Sequence, residues 1–197
     1  MDTATAFSNF VSRFNACRHQ IRDITSHSLC EVEAEVRLHP PAGLRCDLLC
    51  NAIRRHPEWG GEPATERLHD TKWGSGLRAR RVVGTGDSVA SLEMVVKNSS
   101  SAPLRFETSN GWKGSMAVST EQRVSGQTAK MLAVGAKSCR WHTRHRFTHR
   151  TGGVALDVSE TPDGGVVLEL EQLGTGVDAS ELRRLVMGVC QIRDVAQ

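Results

Sequence analysis

The sequence predicts a mainly β fold, a closed or nearly closed antiparallel barrel with helices outside it. Three observations carry this. From about residue 65 to 173, apolar and polar residues alternate in short segments punctuated by Gly, Ser and Asn, the spacing of an antiparallel meander. An earlier segment, 30–38, alternates as strictly. Before, between and after these strands the apolar period becomes helical.

Taken in order, Phe7, Phe10, Val11 and Phe14 recur at helical spacing, predicting an amphipathic helix over about 3–22. The strand at about 29–38 is ended by Pro40, Pro41 and Gly43. Leu44, Leu48, Leu49, Ala52 and Ile53 mark a second helix, stopped by Pro57, and 57–63 reads as a loop. Strands follow at 65–71, 77–83, 89–98, 104–108, 115–124, 139–149, 154–161 and 166–173, with turn chemistry between most of them. Residues 126–135 suit either a loop or a helical turn. Asp178 three residues before Glu181 resembles a capping box, and Leu182, Leu185, Val186, Val189 and Ile192 form a helical stripe within about 178–194. No repeat or long linker divides the chain, so 1–197 is read as one domain, with the barrel at about 29–173.

Composition narrows the function classes mainly by what it lacks. A net charge of +3 is close to neutral for 197 residues, so any charge logic must be local. No run approaches the roughly 18 apolar residues of a membrane helix, and the N-terminus lacks the pattern of a signal peptide; both predict an intracellular chain with reduced thiols and no membrane partner. There is no Walker phosphate loop, nucleophile elbow or HExxH, and Gly74-Ser75-Gly76 lacks the later glycine of a dinucleotide fingerprint. None of the six cysteines forms a CxxC pair. Cys46 and Cys50 would share a helix face, and a zinc site could be drawn from them with His142, His145 and His149; without tighter ligand pairs they read instead as buried structural cysteines.

The informative pattern is which strand face is charged. In 30–38, Glu31, Glu33, Glu35 and Arg37 share one face and Val32, Ala34, Val36 and Leu38 the other. Neighbouring carboxylates on such a face lie about 7 Å apart and repel by roughly 2 kcal/mol, so either water or a divalent cation must sit over them. Arg78 and Arg80 share a face, as do Glu93 and Lys97. In 139–149, Arg140, His142, Arg144 and Arg146 oppose Trp141 and Phe147. Asp157 and Ser159 oppose Leu156 and Val158, and Glu169 and Glu171 oppose Leu168 and Leu170. The first and last barrel strands are thus acidic and several between them basic. Closure would bring the end strands together, uniting Glu31, Glu33 and Glu35 with Glu169 and Glu171. Such an oxygen-rich cluster suits Mg²⁺ or Mn²⁺, and facing arginines suit phosphate.

A glutamate strand, basic middle strands, an RxR strand, a DxS strand and a closing ExE strand together resemble the triphosphate tunnel metalloenzymes. Within that superfamily the chain is most similar to the metal-dependent RNA 5′-triphosphatases of mRNA capping found in fungi, protozoa and large DNA viruses. The resemblance spans about 29–173. It implies an eight-stranded antiparallel tunnel with a charged lumen, its apolar faces packed outward against helices, inverting the usual small-barrel rule. It implies Glu33, Glu35, Glu169 and Glu171 as metal ligands for Mg²⁺ or Mn²⁺, with Glu31 a supporting acidic contact. Arg37, Arg78, Arg80, Lys97, Arg144 and Arg146 would contact phosphate, Arg144 and Arg146 catalytically, with Asp157 and Ser159 in support. Glu169 or Glu171 would orient or deprotonate water.

The implied activity is release of the γ-phosphate from triphosphate-ended RNA, the first step of cap formation. Nucleoside triphosphates are a possible further substrate, a guanylyltransferase a possible partner, and the nucleus the implied setting. Glu33-Ala-Glu35-Val-Arg37 is also close, with Arg for Lys, to the ExExK signature of sister enzymes acting on tripolyphosphate or thiamine triphosphate, and a non-catalytic RNA- or polyphosphate-binding barrel is the third reading. Trp59, Trp73, Trp112 and Trp141 could stack bases at a tunnel mouth or pack in the wall.

Overall fold

In a computed structural model, residues 2–24, 30–83, 89–99, 102–133, 135, 137–172 and 179–192 are described. The elements run α1 (Thr3–Ile24), β1 (Cys30–His39), α2 (Cys46–Arg55), β2 (Ala64–Trp73), β3 (Leu77–Val83), β4 (Val89–Ser99), β5 (Leu104–Glu107), β6 (Lys113–Arg123), α3 (Gly126–Leu132), β7 (Lys137–Thr148), β8 (Val154–Glu160), β9 (Val166–Gln172) and α4 (Ala179–Gln191). The ambiguous 126–135 segment therefore opens as a helix. Its N-cap is Ser125, whose side chain accepts from the Thr128 backbone N–H and so satisfies one of the first-turn donors. Asp178 of the expected capping box lies outside the described residues.

The strands join in the order β1-β9-β8-β7-β2-β3-β4-β6, and β6 pairs back with β1, closing an eight-stranded antiparallel barrel. The ninth strand is outside this ring. β4 pairs with β6 over 119–123, and β5 takes its place beside β6 over 113–116, where β4 has ended. Phe106 of β5 stands opposite Gly114, and a Cβ built on Gly114 would lie 2.1 Å from the Phe106 ring. Only a residue without a side chain lets the aromatic ring lie over the strand there.

The core lies outside the barrel, between its wall and the helices. Ala34, Val36, Leu38, Met116, Val118, Leu156, Val158, Leu168 and Leu170 are buried with Phe7, Phe10 and Phe14 of α1, Leu49 and Ile53 of α2, and Leu185, Val186 and Val189 of α4. The Phe stripe of α1 thus packs on this domain, Phe7 meeting Phe106 at 5.4 Å between ring centroids. Trp59 and Trp112 are fully buried, whereas Trp141 is 42 % exposed on the outer wall, against His69 and beneath the Arg67 guanidinium.

Candidate active site

Strand register decides which side chains share the inner face, because residues paired across adjacent strands point the same way. Glu35 pairs with Glu171, Arg37 with Glu169, Glu169 with Asp157 and Asp157 with Arg146. The row continues from Arg144 to Glu66, from Asp70 to Arg80, and from Lys97 to Glu121. Since the opposite face of β1, β8 and β9 is packed under helices, this charged row lines the lumen. The inner face is not uniformly polar, however. Leu68 and Val95 share it by register and are buried, so apolar side chains fill part of the channel beside β2 and β4.

Every cation expected to meet phosphate is held by a carboxylate here. Lys97 Nζ donates to Glu33 at 2.5 Å and to Glu35 at 3.1 Å, and lies 3.2 Å from Glu121. Arg37 bridges Glu35 at 2.9 Å and Glu169 at 2.5 Å. Arg78 donates to Glu121 at 2.9 Å, and Arg80 grips Asp70 with two hydrogen bonds of 2.8 and 2.9 Å. Arg144 donates to Glu66 and, at 3.3 Å, to Asp157. Arg146 forks onto Asp157 at 2.7 and 2.6 Å and also donates to Glu171. Asp157 is fully buried, and two guanidiniums balance its charge. Ser159 is buried beside Arg144 in register. Glu31 pairs with Glu121 along the strands, but its side chain lies outside the described residues.

The titration of the glutamates differs accordingly. Burial would raise the Glu35 carboxyl, but Lys97 and Arg37 outweigh it and hold the group below its ordinary value. Glu171 is pushed up to about 7, first by burial and then by the charge of Asp157, with Glu33 and Glu169 adding and Arg146 opposing. One carboxyl is thereby held ionised and its cross-strand partner is poised near neutrality, the separation expected of an acid/base site.

Similarity in structure now bears on this geometry. The RNA triphosphatase Pct1 of S. pombe matches with a TM-score of 0.53 and 15 % identity, over 99 % of this chain and 88 % of Pct1. The Mimivirus capping enzyme triphosphatase matches with a TM-score of 0.56 and 14 % identity, over 92 % of this chain and 96 % of the other. The fold is the triphosphate tunnel. No protein-family model and no curated protein sequence matches the chain.

The donor set of the tunnel suits a hard divalent cation. Glu33, Glu35, Glu169 and Glu171 offer only carboxylate oxygens, from two adjacent strands of one lumen. Lys97, and Arg37 beside it, stand where such a cation would compensate them, and among the described residues no three of these carboxylates bring oxygens within 4.8 Å of one another. A cation held by Glu33 and Glu35 would take the place of Lys97.

The sequence reasoning did not assign the charged faces of β2 and β6. Glu66 and Asp70 on β2 and Glu121 on β6 hold Arg144, Arg80, Arg78 and Lys97, and Ser119 Oγ lies 3.5 Å from Glu33. Charges expected to segregate by strand are instead interleaved around the tunnel. The signal for Glu66 and Asp70 was their shared parity, obscured by Leu68 between them.

Proposed function

We propose that this tunnel hydrolyses the γ-phosphate of a triphosphate-ended RNA with the help of Mg²⁺ or Mn²⁺. The observation that supports it best is the contact of acidic β1 and β9 within one lumen that also holds Arg37, Arg78, Arg80, Arg144, Arg146 and Lys97. Glu33, Glu35 and one or both of Glu169 and Glu171 would hold the divalent ion, which supplies polarisation of the phosphoryl oxygens.

The remaining work falls to the chain's own groups. Arg144 and Arg146, fixed by Asp157, present guanidinium forks that match phosphate oxygens and offset charge in a loose transition state. Lys97 and Arg37, released from the glutamates, neutralise the remainder of the triphosphate. Glu171 accepts a proton from the attacking water as its oxygen bonds to the γ-phosphorus. The bond to the β-phosphate bridging oxygen breaks, leaving a diphosphate end and inorganic phosphate. An RNA substrate would suit a nuclear setting in which a guanylyltransferase takes the diphosphate end next.

Phosphate release from γ-labelled triphosphate RNA, run beside a nucleoside triphosphate and tripolyphosphate with each metal, tests this. Preferred turnover of the RNA, abolished in a folded Glu33→Ala protein, is expected. Preferred turnover of tripolyphosphate would favour a sister phosphohydrolase, a reading motivated by Glu33-Ala-Glu35-Val-Arg37. No turnover of any triphosphate would leave a binding barrel.

A further inference from the structure

A second site stands outside the tunnel, on the opposite side of its wall. α2 lies against β8, and its turn from Cys46 to Cys50 places two buried thiols on one helix face. β7 supplies His145, whose side chain must point outward because Arg144 and Arg146 point into the lumen. The two sulfurs and a ring nitrogen of His145 all lie within 4.8 Å of one another. Among the described residues no other three His, Cys, Asp or Glu side chains meet so closely.

We propose that Cys46, Cys50 and His145 form a zinc site that pins α2 to the barrel wall, with water in the fourth position. One feature of the surroundings agrees. His145 Nδ1 lies 3.0 Å from Thr65 Oγ1; donating its N–H there leaves the Nε2 lone pair for a metal, the usual outer-shell orientation of a zinc-bound imidazole.

Glu160 ends β8 on the same outer face and is exposed. Bonds of about 2.0–2.3 Å to a tetrahedral zinc put ligand atoms roughly 3.3–3.8 Å apart, so side-chain rotation of about 1 Å closes the site. Binding forms two Zn–S bonds and one Zn–N bond and releases the two thiol protons.

The test uses the full chain, reduced and freed of metal, titrated with Co²⁺ and then Zn²⁺. Co²⁺ is expected to give a thiolate-to-metal charge-transfer band saturating at one equivalent, which tunnel carboxylates cannot produce. Zn²⁺ should displace it and raise Tm by roughly 5–10 °C at a hundredfold excess over the dissociation constant. Cys46→Ser/Cys50→Ser and His145→Ala should lose the band. Thr65→Val, a change at an exposed position, should weaken metal affinity by about 10–100-fold without altering the fold. The proposal is overturned if the wild-type chain shows no such band. It is equally overturned if the band survives in the cysteine double variant, since other cysteines would then be its source, or in His145→Ala, since the imidazole would then not be a ligand.

Discussion

Glu171→Gln should make the metal-free protein more stable, although it removes a charged partner of Arg146. The Glu171 side chain is only 18 % exposed and faces Asp157, Glu33 and Glu169. Its carboxyl is pushed from 4.5 to about 7, so the folded chain holds this proton more tightly than the unfolded chain does. Stability from this group is therefore fully present below about pH 4.5 and is lost as pH rises through about 7. At about 1.4 kcal/mol per pKa unit, ionising Glu171 in the fold costs about 3 kcal/mol. Glutamine stays neutral and escapes that cost. Urea unfolding in EDTA should find the variant more stable by about 3 kcal/mol at pH 8 and indistinguishable from wild type near pH 4.5. Adding Mg²⁺ or Mn²⁺ at pH 8 should narrow the gap, because the cation stabilises the ionised cluster of the wild type more than that of the variant. A variant less stable than wild type at pH 8 in EDTA would refute the reasoning. The contact to Arg146 would then outweigh burial and carboxylate repulsion.

Two further outcomes follow from single contacts. Asp157→Ala leaves Arg144 and Arg146 facing a buried position without their shared carboxylate, so a loss of about 3–5 kcal/mol in urea unfolding is expected, with Asp157→Asn intermediate. Gly114→Val drives a side chain into the Phe106 ring, which a built Cβ already meets at 2.1 Å, and should lower stability by about 1–3 kcal/mol. Phe106→Ala combined with it should recover part of that loss if the collision is the cause, and none if the backbone of Gly114 is what matters.

How far the sequence could be read depended on parity. On β1 the alternation of Glu33, Glu35 and Arg37 with Ala34, Val36 and Leu38 is strict, so the faces separate without knowledge of any partner strand. The same holds for Glu169 and Glu171 on β9, and the barrel's closure follows from the two acidic strands being its chain ends. β2 offers no such clarity. Its inward row is Glu66, Leu68, Asp70 and Lys72, while its outward row of Thr65, Arg67, His69 and Thr71 is no less polar. Helix period brought Cys46 and Cys50 together on α2, but three histidines competed to join them. Only the inward register of Arg144 and Arg146 sends His142 into the lumen and His145 out towards the helix. The place of β5 beside the lower half of β6 was likewise invisible, since a four-residue strand carries no mark of whether it is inside the ring.

The interleaving of charge that the sequence hid has a consequence for ligand order. A cation entering alone must compete with Lys97 for Glu33 and Glu35, and a polyphosphate entering alone must compete with Asp157 and Glu171 for Arg146. Either exchange by itself leaves one partner of a partly buried pair without its counter-charge, which is costly. When both arrive together each displaced group finds a new partner: the metal takes the glutamates as the phosphates take Lys97 and the arginines. If the proposed function holds, metal and triphosphate would therefore bind with positive coupling, each raising the affinity of the other by the same factor. In the unliganded chain the internal pairs do the opposite service, giving each buried or half-buried lumen charge a counter-charge.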